Sequence, residues 1–269
     1  MDNSANPTLE PDHWEIGGAL SVEDSFGTKL LPFVLSITAG SVDVISFLGL
    51  GGLFTAHITG NLVILAAKLV AGEQSPVSYL ISVPVFMAVL ALTRLLAAGL
   101  ERLKIASLVP LLLIQFLLLA AFFALCRSAG PRLDPNTTIM ILAGMLGVSA
   151  MAVQNGLARI SLRGAPATAV MTTNITLFTI DVGQVLLGGN ASSTVRARER
   201  ARNTWPAIVG FLLGCALGAA CEAAFGLHSL VLPAAFGLLA VALGLTGTLH
   251  HADAARALER RDQHDKHQA

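Results

Sequence analysis

The stretch Thr38–Asn61 reads TAGSVDVISFLGLGGLFTAHITGN and places polar residues inside apolar sequence. Its carboxylate, Asp43, lies about 13 residues into an apolar segment, which puts it near the middle of a bilayer if that segment crosses. A carboxylate there costs about 3 kcal/mol and normally faces a partner or a water-filled cavity. Three glycines then break the segment before a polar run that ends at Asn61. We therefore predict a membrane helix, a break and a second segment with a polar start.

The composition of the whole chain agrees with a membrane location. Of its 269 residues, 54% are hydrophobic and only 13% are charged, whereas soluble domains carry about a quarter charged residues. The chain lacks the charges to cover a soluble surface. The apolar runs also lack the alternating pattern of a β-barrel, so helices must satisfy the backbone in lipid. We predict an all-α, polytopic helical membrane protein.

Eight apolar segments follow one another, and most reach the roughly 20 residues that a crossing requires. They are Leu30–Leu50, Leu53–Ala71, Val77–Ala98, Ile105–Cys126, Thr137–Leu157, Ala165–Gly188, Trp205–Phe225 and Leu227–Leu249.

These segments form one predicted membrane domain, 30–249, with repeat halves at about 30–126 and 137–249. A polar tail, 1–29, precedes it and a charged tail, 250–269, follows it.

The number of Lys and Arg residues on each side of the membrane distinguishes two arrangements of the segments. Eight full crossings place 12 of these residues on one side and 5 on the other. Six crossings, with segments two and six re-entrant or broken, place 14 on one side and 3 on the other. Charge favours the second arrangement, while the length of segment six allows the first. Both put the N- and C-termini in the cytoplasm.

When Asp43 is aligned with Asn155, residues of similar type stand at corresponding positions in the two halves. The distance from Asp43 to Asn61 is 18 positions, and that from Asn155 to Asn174 is 19. Membrane helices seldom keep such residues without cause, so the matched polar positions indicate a two-fold internal repeat. Three crossings in each half would make the repeat inverted, as in many secondary transporters, and four would make it parallel.

The polar residues at and near the two breaks are the candidate solute-, proton- or cation-binding residues. Asp43 either binds a cation or proton or caps the break, and His57 either titrates near neutral pH or bonds to water at the interface. The Thr and Asn residues either cap a half-helix or, through its dipole, face a ligand. The candidates are Asp43, His57, Thr59, Asn61, Gln154, Asn155, Thr172, Thr173, Asn174 and Asp181.

Two further patterns concern packing and orientation. Gly210, Gly214 and Gly218 form a GxxxGxxxG face that lets two helices approach closely, either within the chain or in a homo-oligomer. Four arginines between positions 196 and 202 precede segment seven and are typical of a cytoplasmic anchor that also touches anionic lipid.

Several functional classes lack support in the sequence. No nucleophile elbow, phosphate loop or metalloprotease motif is present, so we expect neither an enzyme nor a cofactor. The three cysteines lie in apolar stretches, and the histidines of the C-terminal tail match no metal-site spacing, so we expect no metal. The absence of a basic patch with interleaved aromatics argues against nucleic acid.

The stretch from Thr38 to Leu48, Gly51–Phe54 and Ala56–Asn61 resemble the YoaK-like family of bacterial membrane proteins. The second-half runs Val153–Asn155 and Thr172–Asn174 are similar to the same family. The resemblance covers about Leu30–Leu249. It implies about six spans in a bacterial cytoplasmic (inner) membrane and supplies no activity.

Two functions remain open from the sequence. Paired polar motifs in a duplicated membrane fold favour a transporter or channel-like protein for a small solute or ion, with its site between the two motifs. The glycine face and the arginine run favour a non-transporting assembly or regulatory subunit.

Overall fold

The computed structural model describes residues 26–72, 77–128, 136–162, 164–188 and 190–248, and all regular structure in these ranges is helical. The all-α prediction is confirmed. The predicted tails lie outside the described residues except for 26–29, which begin the first helix. In chain order the helices are α1 (Phe26–Gly49), α2 (Ile58–Val70), α3 (Val77–Arg102), α4 (Leu108–Ser128), α5 (Thr138–Ile160), α6 (Met171–Leu187), α7 (Ala191–Phe225), a 3₁₀ turn (Gly226–Leu230) and α8 (231–248).

Five stretches of the described chain are long and apolar enough to cross a membrane, as expected for a multi-pass helical membrane protein. The last of them, Ala191–Thr248, has 58 residues and contains both α7 and α8. At about 1.5 Å per residue, α2 and α6 measure roughly 20 Å and 26 Å, less than the roughly 30 Å of a hydrocarbon core.

The starts of α2, α6 and α7 differ most from those of the predicted segments. Helix α2 begins at Ile58 and α6 at Met171, so the start of each predicted segment is non-helical chain. Helix α7 begins at Ala191 rather than Trp205, because the arginine run continues the helix. The exposed charged turns of α7 therefore extend beyond its apolar part.

Helices α1 and α5 form the centre of the bundle. In the apolar windows of α1 and α5, 78% and 72% of the residues are buried, compared with 17% in α3 and 28% in α4. Helix α4 is apolar on all sides, as expected for a helix that faces lipid. Asp43 on α1 and Gln154 and Asn155 on α5 thus lie on the two most enclosed helices.

Helices α1 and α7 pack against each other and run in the same direction. The glycines of α7 face α1 in chain order: Gly210, Gly214 and Gly218 lie against Phe33, Ile37 and Ser41. A Cβ added to Gly218 would lie 2.9 Å from the Cα and the carbonyl oxygen of Ser41, so only glycine permits this approach. The glycine face is covered by a helix of the same chain, and an oligomer through it would have to displace α1.

Helices α8 and α4 pack against each other and run in opposite directions. Gly237 faces Leu119 and Phe116, whereas Gly244, two turns later, faces the earlier residues Leu112 and Val109.

Helix α5 packs on both α3 and α4. Its Gly156 lies against Thr93 of α3.

Candidate functional site

The first break is held by the buried carboxylate of Asp43, which is 3% exposed. Its Oδ1 accepts hydrogen bonds from the backbone N–H groups of Thr55, at 2.8 Å, and Ala56, at 2.7 Å. These donors belong to non-helical chain just before α2 and would otherwise lack partners in an apolar interior. Asp43 therefore anchors the break, as the capping interpretation of the sequence expects.

The same carboxylate also contacts His57. Asp43 Oδ2 lies 2.6 Å from Nδ1 of His57, and we call these two residues the Asp43–His57 pair. The imidazole is 42% exposed, whereas the carboxylate is buried. The hydrogen bond to Asp43 raises the pKa of His57 above its usual value, while desolvation acts in the opposite direction. The pair thus connects a buried negative charge to the protein surface through a titratable ring.

Aromatic rings surround the exposed side of His57. The rings of Phe54 and Phe211 meet it edge-on, with centroid distances of 5.9 Å and 5.6 Å. Phe47 in turn stacks on Phe54 at 4.6 Å. These contacts fix the orientation of the imidazole and place α7, which carries Phe211, beside the pair.

Asn61 closes the first break from the other end. Its Oδ1 accepts from the backbone N–H of Phe54, at 2.9 Å, and its Nδ2 donates to the carbonyl oxygen of the same residue, at 2.8 Å. The amide also donates to Ser82 of α3 at 3.0 Å. Asn61 is fully buried, so its polar atoms are used in holding backbone.

Asn174 makes the corresponding contact in the second half. Its Nδ2 donates to the carbonyl oxygen of Ala167 at 2.6 Å. Both asparagines thus donate to the carbonyl oxygen of the residue seven positions earlier, although Asn61 also accepts from the N–H of that residue. The residue after each clamped position is a threonine, Thr55 or Thr168.

Gln154 anchors the second break in place of a carboxylate. Its Nε2 donates to Thr168 Oγ1 at 3.0 Å and to the carbonyl oxygen of Leu35 at 2.9 Å. Its Oε1 accepts from Gln115 of α4 at 2.6 Å. This fully buried amide ties the second break to α1 and α4.

The structure does not bring the predicted site residues together in one site. Asp43, His57 and Asn61 meet at the first break, and Gln154 and Asn174 hold the second. Asn155 donates to Met151 of its own helix at 2.8 Å. The threonines face outward and are exposed; they are Thr59, Thr172 and Thr173.

Among the described hydrogen bonds, none joins Asp43, His57 or Asn61 to the second set. The halves are joined elsewhere: Gln154 bonds to Leu35, two turns before Asp43 on α1, and to Gln115 of α4, and Ser107 bonds to Ser161.

Asp181 lies away from both breaks and pairs with Arg200. Its Oδ1 lies 2.5 Å from Nη2 and 3.0 Å from Nε of the guanidinium. The carboxylate is 5% exposed and the arginine 55%. The pair ties α6 to the charged end of α7, so the structure gives Asp181 a positional partner that sequence spacing did not indicate.

Sequence reasoning missed several polar residues that the structure brings into these networks. Gln115 is an isolated amide in the apolar α4, which was a detectable signal. Tyr79 donates to the carbonyl oxygen of Gly51 and supports the first break. Glu222, near the end of α7, accepts from Ser229 at 3.0 Å.

A small cavity adjoins the second break. Its volume is about 20 Å³, enough for about one water molecule. Asn155, Arg159 and Thr168 contribute to its lining. In the described part of the chain no three His, Cys, Asp or Glu side chains are grouped closely enough to hold a metal ion.

Residues 31–243 match a family described as "Protein of unknown function (DUF1275)". The chain belongs to this family. The match includes both breaks and all of the residues that hold them, so these features lie within the family's own domain. No curated protein and no solved structure matches the chain. Family membership therefore supplies no substrate.

Proposed function

We propose that this protein is a transporter or channel-like protein for a small solute or ion, and that the Asp43–His57 pair binds the proton that drives or gates it. The observation that carries the proposal is a buried carboxylate bonded to a half-exposed imidazole. Such a pair can exchange a proton with the surface through the ring while the carboxylate stays enclosed.

Helix directions support six crossings with α2 and α6 re-entrant. Eight full crossings would make α4 and α8 parallel, but they run in opposite directions. If α6 does not cross, α4 and α8 become antiparallel. The parallel packing of α1 and α7 then requires that α2 does not cross either. The short lengths of both helices support the same arrangement.

Three crossings in each half make the internal repeat inverted. The first helix of each half packs on the third helix of the other half: α1 on α7, and α5 on α3. The shared contact of Asn61 and Asn174 with the residue seven positions earlier supports the duplication. Inverted repeats with broken segments are a recurring transporter architecture, which is an analogy of fold.

The charges orient this arrangement in the membrane. With six crossings, 14 Lys and Arg residues fall on the side of the termini and 3 on the other. We infer cytoplasmic termini, with α6 on the cytoplasmic side and α2 on the opposite side of a bacterial cytoplasmic membrane. His57 would then face the exterior, where the proton supply is set by the external pH.

The cavity at the second break holds about one water molecule, so passage of a larger solute by that break requires a second conformation. An inverted repeat supplies such a conformation when the two halves exchange their arrangements.

The test is proton flux in proteoliposomes that contain a pH-sensitive dye. The wild-type protein should move protons when a panel of small metabolites and ions is added outside, and Asp43→Asn and His57→Gln should abolish this flux. Thr176→Ala, on the exposed surface of α6, is the matched control and should retain it. Absence of any flux from the wild type across the panel would count against the proposal.

The alternative is a non-transporting assembly or regulatory subunit. It is favoured by the hydrogen bonds of Asn61, which all go to groups of the protein itself, and by the outward position of the threonines. Crosslinking in native membranes followed by mass spectrometry should then recover a stoichiometric partner. Recovery of a lone chain together with measurable flux would decide for the transporter.

A further inference from the structure

A groove of about 420 Å³ opens on the surface between α6 and the charged part of α7. Residues at helical spacing on each helix form its two walls. They are Phe178, Val182, Val185 and Leu186 on α6, and Arg198, Ala201, Arg202 and Trp205 on α7. Its volume lies in the range of pockets that bind small molecules.

The charge at one end of the groove is unbalanced. Arg200, between the two groove arginines, turns to Asp181. Among the described residues no ion pair joins Arg198 or Arg202 to an acidic side chain, and the exposed Glu199 pairs with neither. Two exposed guanidinium groups one turn apart therefore stand beside an apolar wall. This combination complements a ligand with an anionic head and an apolar body.

The depth of the groove in the membrane fits the same ligand. Trp205 is 47% exposed, and such a tryptophan is typical of the boundary between headgroups and hydrocarbon. With a rise of about 1.5 Å per residue, Arg202 and Arg198 lie roughly 5 Å and 10 Å from it along α7. Arg202 therefore lies within the headgroup layer, which is about 5–8 Å thick on each side, and the Cα of Arg198 lies just beyond it.

We propose that this groove binds one anionic phospholipid of the cytoplasmic leaflet. Arg198 and Arg202 hold its phosphate, and one acyl chain runs past Phe178 and Trp205 toward the hydrocarbon. A general attraction of basic residues to the membrane needs no groove. The apolar wall on α6 is what converts that attraction into a site with a stoichiometry of one. The inference rests on the surface between α6 and α7 and does not depend on the Asp43–His57 pair.

The test is native mass spectrometry of the full chain after incubation with mixed micelles containing phosphatidylglycerol or phosphatidylcholine. The wild type should retain one phosphatidylglycerol and no phosphatidylcholine. The double variant Arg198→Gln/Arg202→Gln should lose about tenfold or more in affinity, since each arginine near a headgroup contributes to the attraction. Arg196→Gln/Arg127→Gln removes two exposed charges outside the groove and should retain the lipid.

Ala201→Phe fills the groove and keeps both arginines, so it tests the acyl-chain part even if the double variant fails to fold. It should weaken phosphatidylglycerol retention. Inorganic phosphate, titrated alone in a thermal-shift assay, should protect no better than chloride. Equal loss in the two double variants, full retention by Ala201→Phe, or protection by phosphate equal to that by the lipid would each overturn the proposal.

Discussion

Replacing Asp43 separates its two roles, because Asn and Ala remove different parts of the side chain. Asn keeps an oxygen that can accept from the N–H groups of Thr55 and Ala56, whereas it removes the charge beside His57. Ala removes both. The comparison therefore asks whether this carboxylate matters as an anchor of the break, as a charge, or as both.

The hydrogen bonds set the expected magnitudes. Ala leaves two buried N–H groups without an acceptor, at about 1–3 kcal/mol each, so Asp43→Ala should lower the free energy of unfolding by about 2–6 kcal/mol. Asn replaces charge-assisted bonds by neutral ones, at a loss of about 1–2 kcal/mol in total. A protein built around the anchor thus tolerates Asn and not Ala.

The pH dependence of the free energy of unfolding tests the effect of the Asp43 charge on His57. Because Asp43 raises the pKa of His57 in the folded state, the resulting stabilisation is fully present below the unfolded value of about 6.5. It is lost as the pH rises through the raised folded pKa. Asp43→Asn should abolish the loss of stability in this window.

The assay is unfolding of the purified chain in detergent micelles, followed by circular dichroism from pH 5 to pH 8. Equal destabilisation by Asn and Ala would show that the two N–H bonds do not hold the break. A pH dependence that survives unchanged in Asp43→Asn would show that it does not come from the Asp43–His57 pair, and the reasoning on that pair would fail.

Three further perturbations test the packing. Gly214→Ala should lower the free energy of unfolding by about 1–3 kcal/mol, because its Cβ would lie 2.9 Å from the Cα of the α1 residue that it faces. Gly247→Ala is the control: its Cβ meets no atom within 4 Å, so it should raise the free energy of unfolding by about 0.5–1 kcal/mol. Similar melting temperatures for the two variants would contradict the packing of α1 on α7. Asn61→Ala should speed amide hydrogen exchange at residues 54–57, because the clamp on the break is lost, and unchanged exchange would refute that role. Arg200→Gln leaves the buried Asp181 without its charged partner and should increase proteolysis between α6 and α7, with Arg196→Gln as the control that should not.

The sequence was sufficient to predict the helices and the positions of the two breaks. Long apolar runs specify membrane helices, and glycines at positions 51 and 52 specify a break because both adopt positive φ. Asp43 could be singled out because a carboxylate in an apolar segment needs a partner. Its partners could not be named, since they are backbone groups of non-helical chain with no sequence signature.

Helix neighbours and directions were beyond sequence reasoning. Periodicity gives the length and faces of a helix, but not which helix covers a face, so the partner of Gly214 stayed open. The second break illustrates a finer difficulty. Alignment with Asp43 selected Asn155, yet Gln154 makes the anchoring bonds. A shift of one residue turns a helical side chain by about 100°, and a single gap in the alignment is enough to produce it.

The difference between the two breaks bears on the proposed transport. Both are clamped by an asparagine, but the first is anchored by a titratable pair and the second by the neutral Gln154. In an inverted repeat these anchors lie toward opposite faces of the membrane. Only the first can gain or lose a proton near neutral pH, so exchange of its proton would be restricted to the face that His57 reaches. Introducing Gln154→Glu would add a second titratable group to the opposite break. We expect proton flux in that variant to respond to pH on both sides of the membrane, whereas flux in the wild type should respond on one. Unchanged one-sided dependence, with Gln154→Glu folded and flux intact, would show that the anchors do not set the direction of proton access.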